Sequence, residues 1–175
     1  MKEMLLMYAR YTKRANDSVL GLLDGLSVEE RNEDRKSYYK SLSGLMSHVL
    51  GGTPYFHSLF RSALPGKAKA LEATVGLTMP EGERLSGTEW EELKRAGRMA
   101  DQATVDFVSS LSDADCACPI PLDWYGGKPA TVPLYFLFDQ FCTHGIHHRG
   151  QISQILDSLG VEHDFSGMDV EFLPR

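Results

Sequence analysis

The run Cys142-Thr143-His144-Gly145-Ile146-His147-His148-Arg149-Gly150-Gln151 decides how the rest of the chain is read. His144 and His148 stand four residues apart. On an α-helix that spacing stacks two imidazoles on one face, one turn above the other. Such a pair can close on a single metal ion, each nitrogen approaching it to about 2.0–2.1 Å. Gln140, Gln151, Leu137, Ile152 and Ile155 fall on the same broad face. The stripe is therefore core-facing, yet it carries two histidines and two amides, and each buried polar group needs a partner. A helix is predicted from about Thr131-Val132-Pro133, with Pro133 in its first turn, to Leu159, where Gly160 stops it.

Helical periodicity extends through most of the chain. Leu6, Tyr8, Tyr11, Ala15, Val19, Leu22 and Leu23 predict a first helix over Glu3 to Leu26, ending at Gly25. A second is expected to open at Ser27, where Glu30 completes a capping box, and to run through Tyr38, Leu42, Leu45 and Val49. Gly51-Gly52-Thr53-Pro54 then predicts a kink or break just past His48, because Pro54 cannot donate to the carbonyl of Leu50. Tyr55 to Phe60 resumes the helix. A third is expected from Ser86 to Thr88, capped by Thr88, through Leu93, Ala96, Met99, Ala103 and Phe107 to Leu111. Leu64 to Leu85 and Cys116 to Pro133 read as irregular crossovers, the latter with a tight turn or small hairpin at Trp124-Tyr125-Gly126-Gly127-Lys128. The fold class is thus all-α, a four-helix bundle with irregular crossovers, over residues 1–175 as a single domain.

Bulk properties exclude several roles. A net charge of −6, with Lys and Arg scattered, argues against nucleic acid and anionic membrane as partners. No apolar run approaches the ~20 residues that span a bilayer. The apolar patch Met4 to Met7 is too short for a signal sequence, so a soluble, cytoplasmic protein is expected. Three cysteines, an odd number, argue against a disulfide framework. Cys116 and Cys118 are too closely spaced for a zinc knuckle, and Cys142 points away from His144 on the helical wheel.

A metal held by two histidines needs a third ligand from elsewhere, and His48, in the apolar stretch Leu42 to Leu50, is the best-placed candidate. Other metal motifs fail. A zincin needs Glu directly after the first His, where this chain has Gly145. Di-iron bundles need paired Glu-x-x-His motifs, which do not occur. Three imidazoles suit zinc, nickel or iron, and an open site can activate water or take up a thiolate. Gln140 and Gln151 are expected to orient ligand rings, and His147, off the axis of the face, to support them from beside it. His57 and His163 are expected to play no part. Arg149, about 140° round the wheel from His144, should pair with a carboxylate. Gly150 costs a mid-helix position ~1 kcal/mol relative to Ala, and close helix packing is its expected reason.

On these residues the chain resembles the DinB/YfiT-like metalloenzymes. The resemblance rests on His148-Arg149-Gly150-Gln151-Ile152, on His144 before it, on His48, and on Asn16 in the first helix. It implies an up-down-down-up bundle, often a homodimer, with a divalent metal on His48, His144 and His148. It further implies a small-molecule substrate and an activity such as S-transfer or isomerisation dependent on a low-molecular-weight thiol. A metal-dependent hydrolase, with Asp139 or Asp17 as proton acceptor, is one alternative. A metal-stabilised, non-enzymatic stress-response or partner-binding bundle is the other. No catalytic residue beyond the ligands is assigned by the sequence.

Overall fold

In α1 (Lys2–Asp24) the buried positions Leu5, Leu6, Ala9, Tyr11, Ala15, Val19, Leu20 and Leu23 recur at helical spacing and give one continuous apolar face. The computed structural model describes residues 1–123 and 128–169, and among these the architecture is all-α apart from one two-stranded sheet. Further helices are α2 (Val28–Arg31), α3 (Leu42–Gly51), α4 (Thr53–Ala63), α5 (Gly87–Ser110) and α6 (Leu134–Ser158). α1 packs on α5 and α6, and α3 packs on both as well.

The continuous second helix expected from Ser27 does not form. The capping box is present, with Glu30 N–H on Ser27 Oγ and Ser27 N–H on the Glu30 carboxylate, but α2 stops after one turn. Asn32 terminates it, because its side-chain amide takes both backbone groups of Leu85, at 2.9 and 3.0 Å. A turn follows in which Lys36 and Lys40 adopt positive φ. Ser41 then caps α3 afresh, accepting from Gly44 N–H at 2.9 Å. The break expected at Gly51 to Pro54 is present but costs only one residue, Gly52, between α3 and α4.

Two other expectations need adjusting. Ser86, not Thr88, caps α5, since Glu89 lies three residues beyond Ser86 and closes a second capping box. The first crossover holds a 3-10 helix over Pro65–Thr74. In the second crossover, β1 (Pro119–Leu122) pairs antiparallel with β2 (Ala130–Pro133), so Pro133 closes a strand and forms the N-cap of α6. The turn expected at Trp124 to Gly127 lies outside the described residues.

The core divides in two along the helices. One cluster centres on Leu20, Leu23, Leu45, Leu50, Trp90, Leu93, Ile152 and Leu156. The other centres on Leu5, Phe60, Phe107, Leu134, Phe138 and Cys142. α6 supplies Leu134 to Cys142 to the second cluster and Ile152 and Leu156 to the first, so its histidine run lies between them. No described helix is long and apolar enough to cross a membrane.

Candidate metal centre

His48 lies one turn before the end of α3, and His144 and His148 lie on successive turns of α6. The three rings meet. His48 Nε2 is 3.0 Å from His144 Nε2, which is 3.1 Å from His148 Nε2. The break at Gly52 comes after His48, so it leaves the ring facing α6. His148 is buried and the other two are half-buried.

Proton accounting shows what this arrangement lacks. His148 Nδ1 is 2.8 Å from Gln151 Oε1, an acceptor, so the ring proton sits on Nδ1 and Nε2 carries a lone pair. His144 Nε2–H can then serve His148, and with its one proton so placed it cannot also bond His48. The His48–His144 contact is left with no proton between the nitrogens if the rings are neutral. His48 and His144 are held neutral. Burial first, then the neighbouring His148 and His144, pushes His48 down to about 4. Burial, followed by His148 and His147, lowers His144 as well. Clustered neutral nitrogens without enough protons to link them want a cation. Nitrogens about 3 Å apart can both reach one ion at ~2.0–2.1 Å, and these three residues are the only such group among the described residues.

A model of the DinB family matches residues 1–170. The chain belongs to the DinB family. No curated protein and no solved structure gives a match.

In this DinB-family chain the cluster is open on one side. A cleft of about 720 Å³ is lined by His48, Tyr39, Ser47, Gly52, Glu81 and Glu83, among others. That volume suits a small molecule. Ser47 fixes the far wall, its hydroxyl donating to the Pro80 carbonyl at 2.9 Å and accepting from Gly82 N–H at 3.3 Å.

The expected supporting residues part company. Gln151 touches a ligand ring directly, as described. Gln140 is exposed, and no side-chain hydrogen bond joins it to the rings. His147 is exposed too, its ring 4.9 Å from that of His148, and it lines a separate cleft of about 400 Å³ with Arg35, Ser37 and Gln154. Asp17 is engaged by Lys13 and Arg98, and Asp139 is exposed, so neither reaches the rings. His57 is fully buried between Thr74 and Thr104, while His163 bonds the Ser153 carbonyl.

Arg149 and Gly150 differ from expectation. Arg149 is buried and donates to Asn16 Oδ1 at 2.8 Å rather than to a carboxylate. Asn16 Nδ2 carries the link on to Asp101, at 2.9 and 3.2 Å from its two oxygens. Burial pushes the Asp101 carboxyl up to about 7, against the opposing pull of Asn16 and Arg149. This network ties α1, α5 and α6 together through the residue next to His148 and so helps to set the rotation of that helix. A Cβ on Gly150 would meet nothing within 4 Å, so close packing is not its reason. The close approach is at Gly145, where a Cβ would lie 3.0 Å from Arg149 Nη1.

Sequence reasoning missed Tyr39. Its hydroxyl is 2.8 Å from His48 Nε2 and its ring stacks on His48 at 4.0 Å. The residue lies in the turn that interrupts the expected helix, where periodicity carries no signal.

Proposed function

We propose that this chain is a metal-dependent enzyme whose ion is held by His48, His144 and His148 and faces the cleft beside α3. The convergence of three imidazole nitrogens, with too few protons to bond one another, carries the reading. Zinc, nickel and iron are the ions whose chemistry suits such a donor set. When bound, the ion supplies Lewis acidity.

The chain's own residues do the rest. Gln151 holds His148 in the tautomer that presents Nε2. Ser47 braces the loop at Pro80 and Gly82 that forms the cleft's outer wall. Residues of the turn before α3 close the other side. The openness at His48 supports an enzyme over a purely structural ion, which is normally enclosed by its ligands. The finer reading is a low-molecular-weight-thiol-dependent S-transferase or isomerase, with the cleft taking the thiol and an electrophilic small molecule together. A hydrolase has less support, because neither Asp17 nor Asp139 contacts the rings to serve as proton acceptor.

Metal analysis of the purified protein is the first test. Wild type is expected to retain close to one equivalent of a divalent transition metal, and His144→Ala to retain none. The metal-loaded protein is then assayed with a panel of small thiols and an electrophilic acceptor, where thiol-dependent turnover absent from His144→Ala is expected. Wild type that takes up no zinc, nickel or iron would remove the basis of the proposal.

A further inference from the structure

We propose that Tyr39 is a fourth protein donor at this centre, its phenol oxygen binding the same ion as His48, His144 and His148. The inference rests on the three-imidazole reading above and adds a ligand to it. Donor atoms that share an ion at about 2.0–2.2 Å from each lie some 3 Å apart. Tyr39 Oη is 2.8 Å from His48 Nε2, matching the 3.0 and 3.1 Å between the ring nitrogens. The phenol oxygen therefore continues the same cluster of donors.

Its placement is built by the fold. The Tyr39 ring lies nearly parallel to His48, at 21°, and meets His148 edge-on at 5.2 Å. Immediately after it, Lys40 takes a φ of 63°, a left-handed conformation that is strained for a side-chain-bearing residue. That turn is held shut by Arg35 N–H on the Lys40 carbonyl at 2.6 Å and Lys40 N–H on Ser37 at 3.1 Å. Gly44 provides the room, since a Cβ there would stand 2.2 Å from the Tyr39 carbonyl oxygen.

Without an ion, the phenol donates its proton to His48 Nε2. An ion that takes that lone pair leaves the phenol without an acceptor. The stacked ring would keep the oxygen in place on loading, and the phenol proton would leave to solvent through the cleft. Tyr39 would then offer one anionic oxygen beside the three imidazole nitrogens.

The test loads wild type, Tyr39→Phe and Tyr38→Phe with iron(II), oxidises it in air, and records visible absorption and resonance Raman spectra. Tyr38 is the control, being exposed on the same turn. Wild type and Tyr38→Phe are expected to show a phenolate-to-iron(III) charge-transfer band with tyrosinate Raman modes. Tyr39→Phe should still bind iron but lose both signatures, and should bind zinc at least ~10-fold more weakly. An iron-loaded wild type without the band overturns the assignment, as does a band that survives in Tyr39→Phe. If Tyr39→Phe fails to fold, tyrosinate modes in wild type and their absence decide the matter alone. Wild type lacking the band while His144→Ala loses the metal sinks only the Tyr39 ligand, whereas wild type that binds no metal sinks the three-imidazole centre with it.

Discussion

Gln151 decides which nitrogen of His148 is available. Its Oε1 accepts from Nδ1 at 2.8 Å, so the lone pair stays on the side facing His144. Gln151→Leu leaves the three rings in place but frees His148 to rotate or change tautomer. Zinc affinity is expected to fall ~10–100-fold, as when other ligand-orienting partners are lost; isothermal titration checks it, and unchanged affinity would show the contact to be incidental. His57 poses a different problem. It is fully buried, and burial, with Arg61 nearby, pushes it down to about 4. Its nitrogens contact Thr104 at 2.8 Å and Thr74 at 3.1 Å, and a neutral ring has one N–H, so one threonine can donate back only by turning its hydroxyl from the backbone carbonyl it otherwise serves, Ala100 for Thr104 or Leu71 for Thr74. The unfolded imidazole takes a proton below about 6.5, whereas the folded one stays neutral to about 4. His57 therefore adds no pH dependence above 6.5, and costs stability as pH falls from there toward 4, by up to ~3 kcal/mol. His57→Gln should be less stable than wild type at pH 7.5 by ~1–3 kcal/mol. Urea unfolding repeated toward pH 4.5 should show a shallower acid loss than wild type, and an equal loss would place the acid sensitivity elsewhere.

Between α2 and α3 the chain does what periodicity alone could not foretell. The capping box at Ser27 and Glu30 was legible and forms, yet one turn later the amide of Asn32 finds the backbone of Leu85, 53 residues away. A tertiary contact of that range leaves no local mark, although Ser41 at the head of Leu42 to Leu50 is itself an N-cap signal for a fresh start. His144 and His148 were legible because a four-residue spacing is a property of one helix. His48 was legible as a residue, while its facing required that Gly52 break the helix after the ring rather than before it. Tyr39 was not legible, since its place depends on the turn and on Gly44. Gly44→Ala tests that dependence. The new Cβ would meet the Tyr39 carbonyl at 2.2 Å and Glu83 Cα at 3.2 Å, both backbone atoms that cannot rotate aside. Overpacking of this kind typically costs ~1–3 kcal/mol, so the melting temperature should drop with helical content unchanged. A variant that melts like wild type would mean that the turn shifts freely and that Gly44 does not fix it.

At the scale of the whole molecule, the histidines join α3 and α6, which already share the apolar cluster around Leu45 and Ile152. His48 and His144 are 96 positions apart, on α3 and α6. The unfolded chain cannot hold the three rings together, so an ion that binds them binds the folded state and stabilises it by mass action. At a free concentration ~1,000 times the dissociation constant the gain is about 4 kcal/mol. For a chain of 175 residues each kcal/mol moves the melting temperature by ~2–4 °C, so saturation should raise it by roughly 8–16 °C. Differential scanning calorimetry of protein stripped by a chelator and then titrated with zinc, nickel or iron reads this shift directly. His144→Ala must melt at one temperature with or without metal, because the shift belongs to the site and not to nonspecific surface binding. A stripped wild type whose melting point ignores all three ions would mean that the rings meet without gripping a cation. A metal-dependent shift with no thiol-dependent turnover would instead keep the centre and assign it to holding α3 against α6.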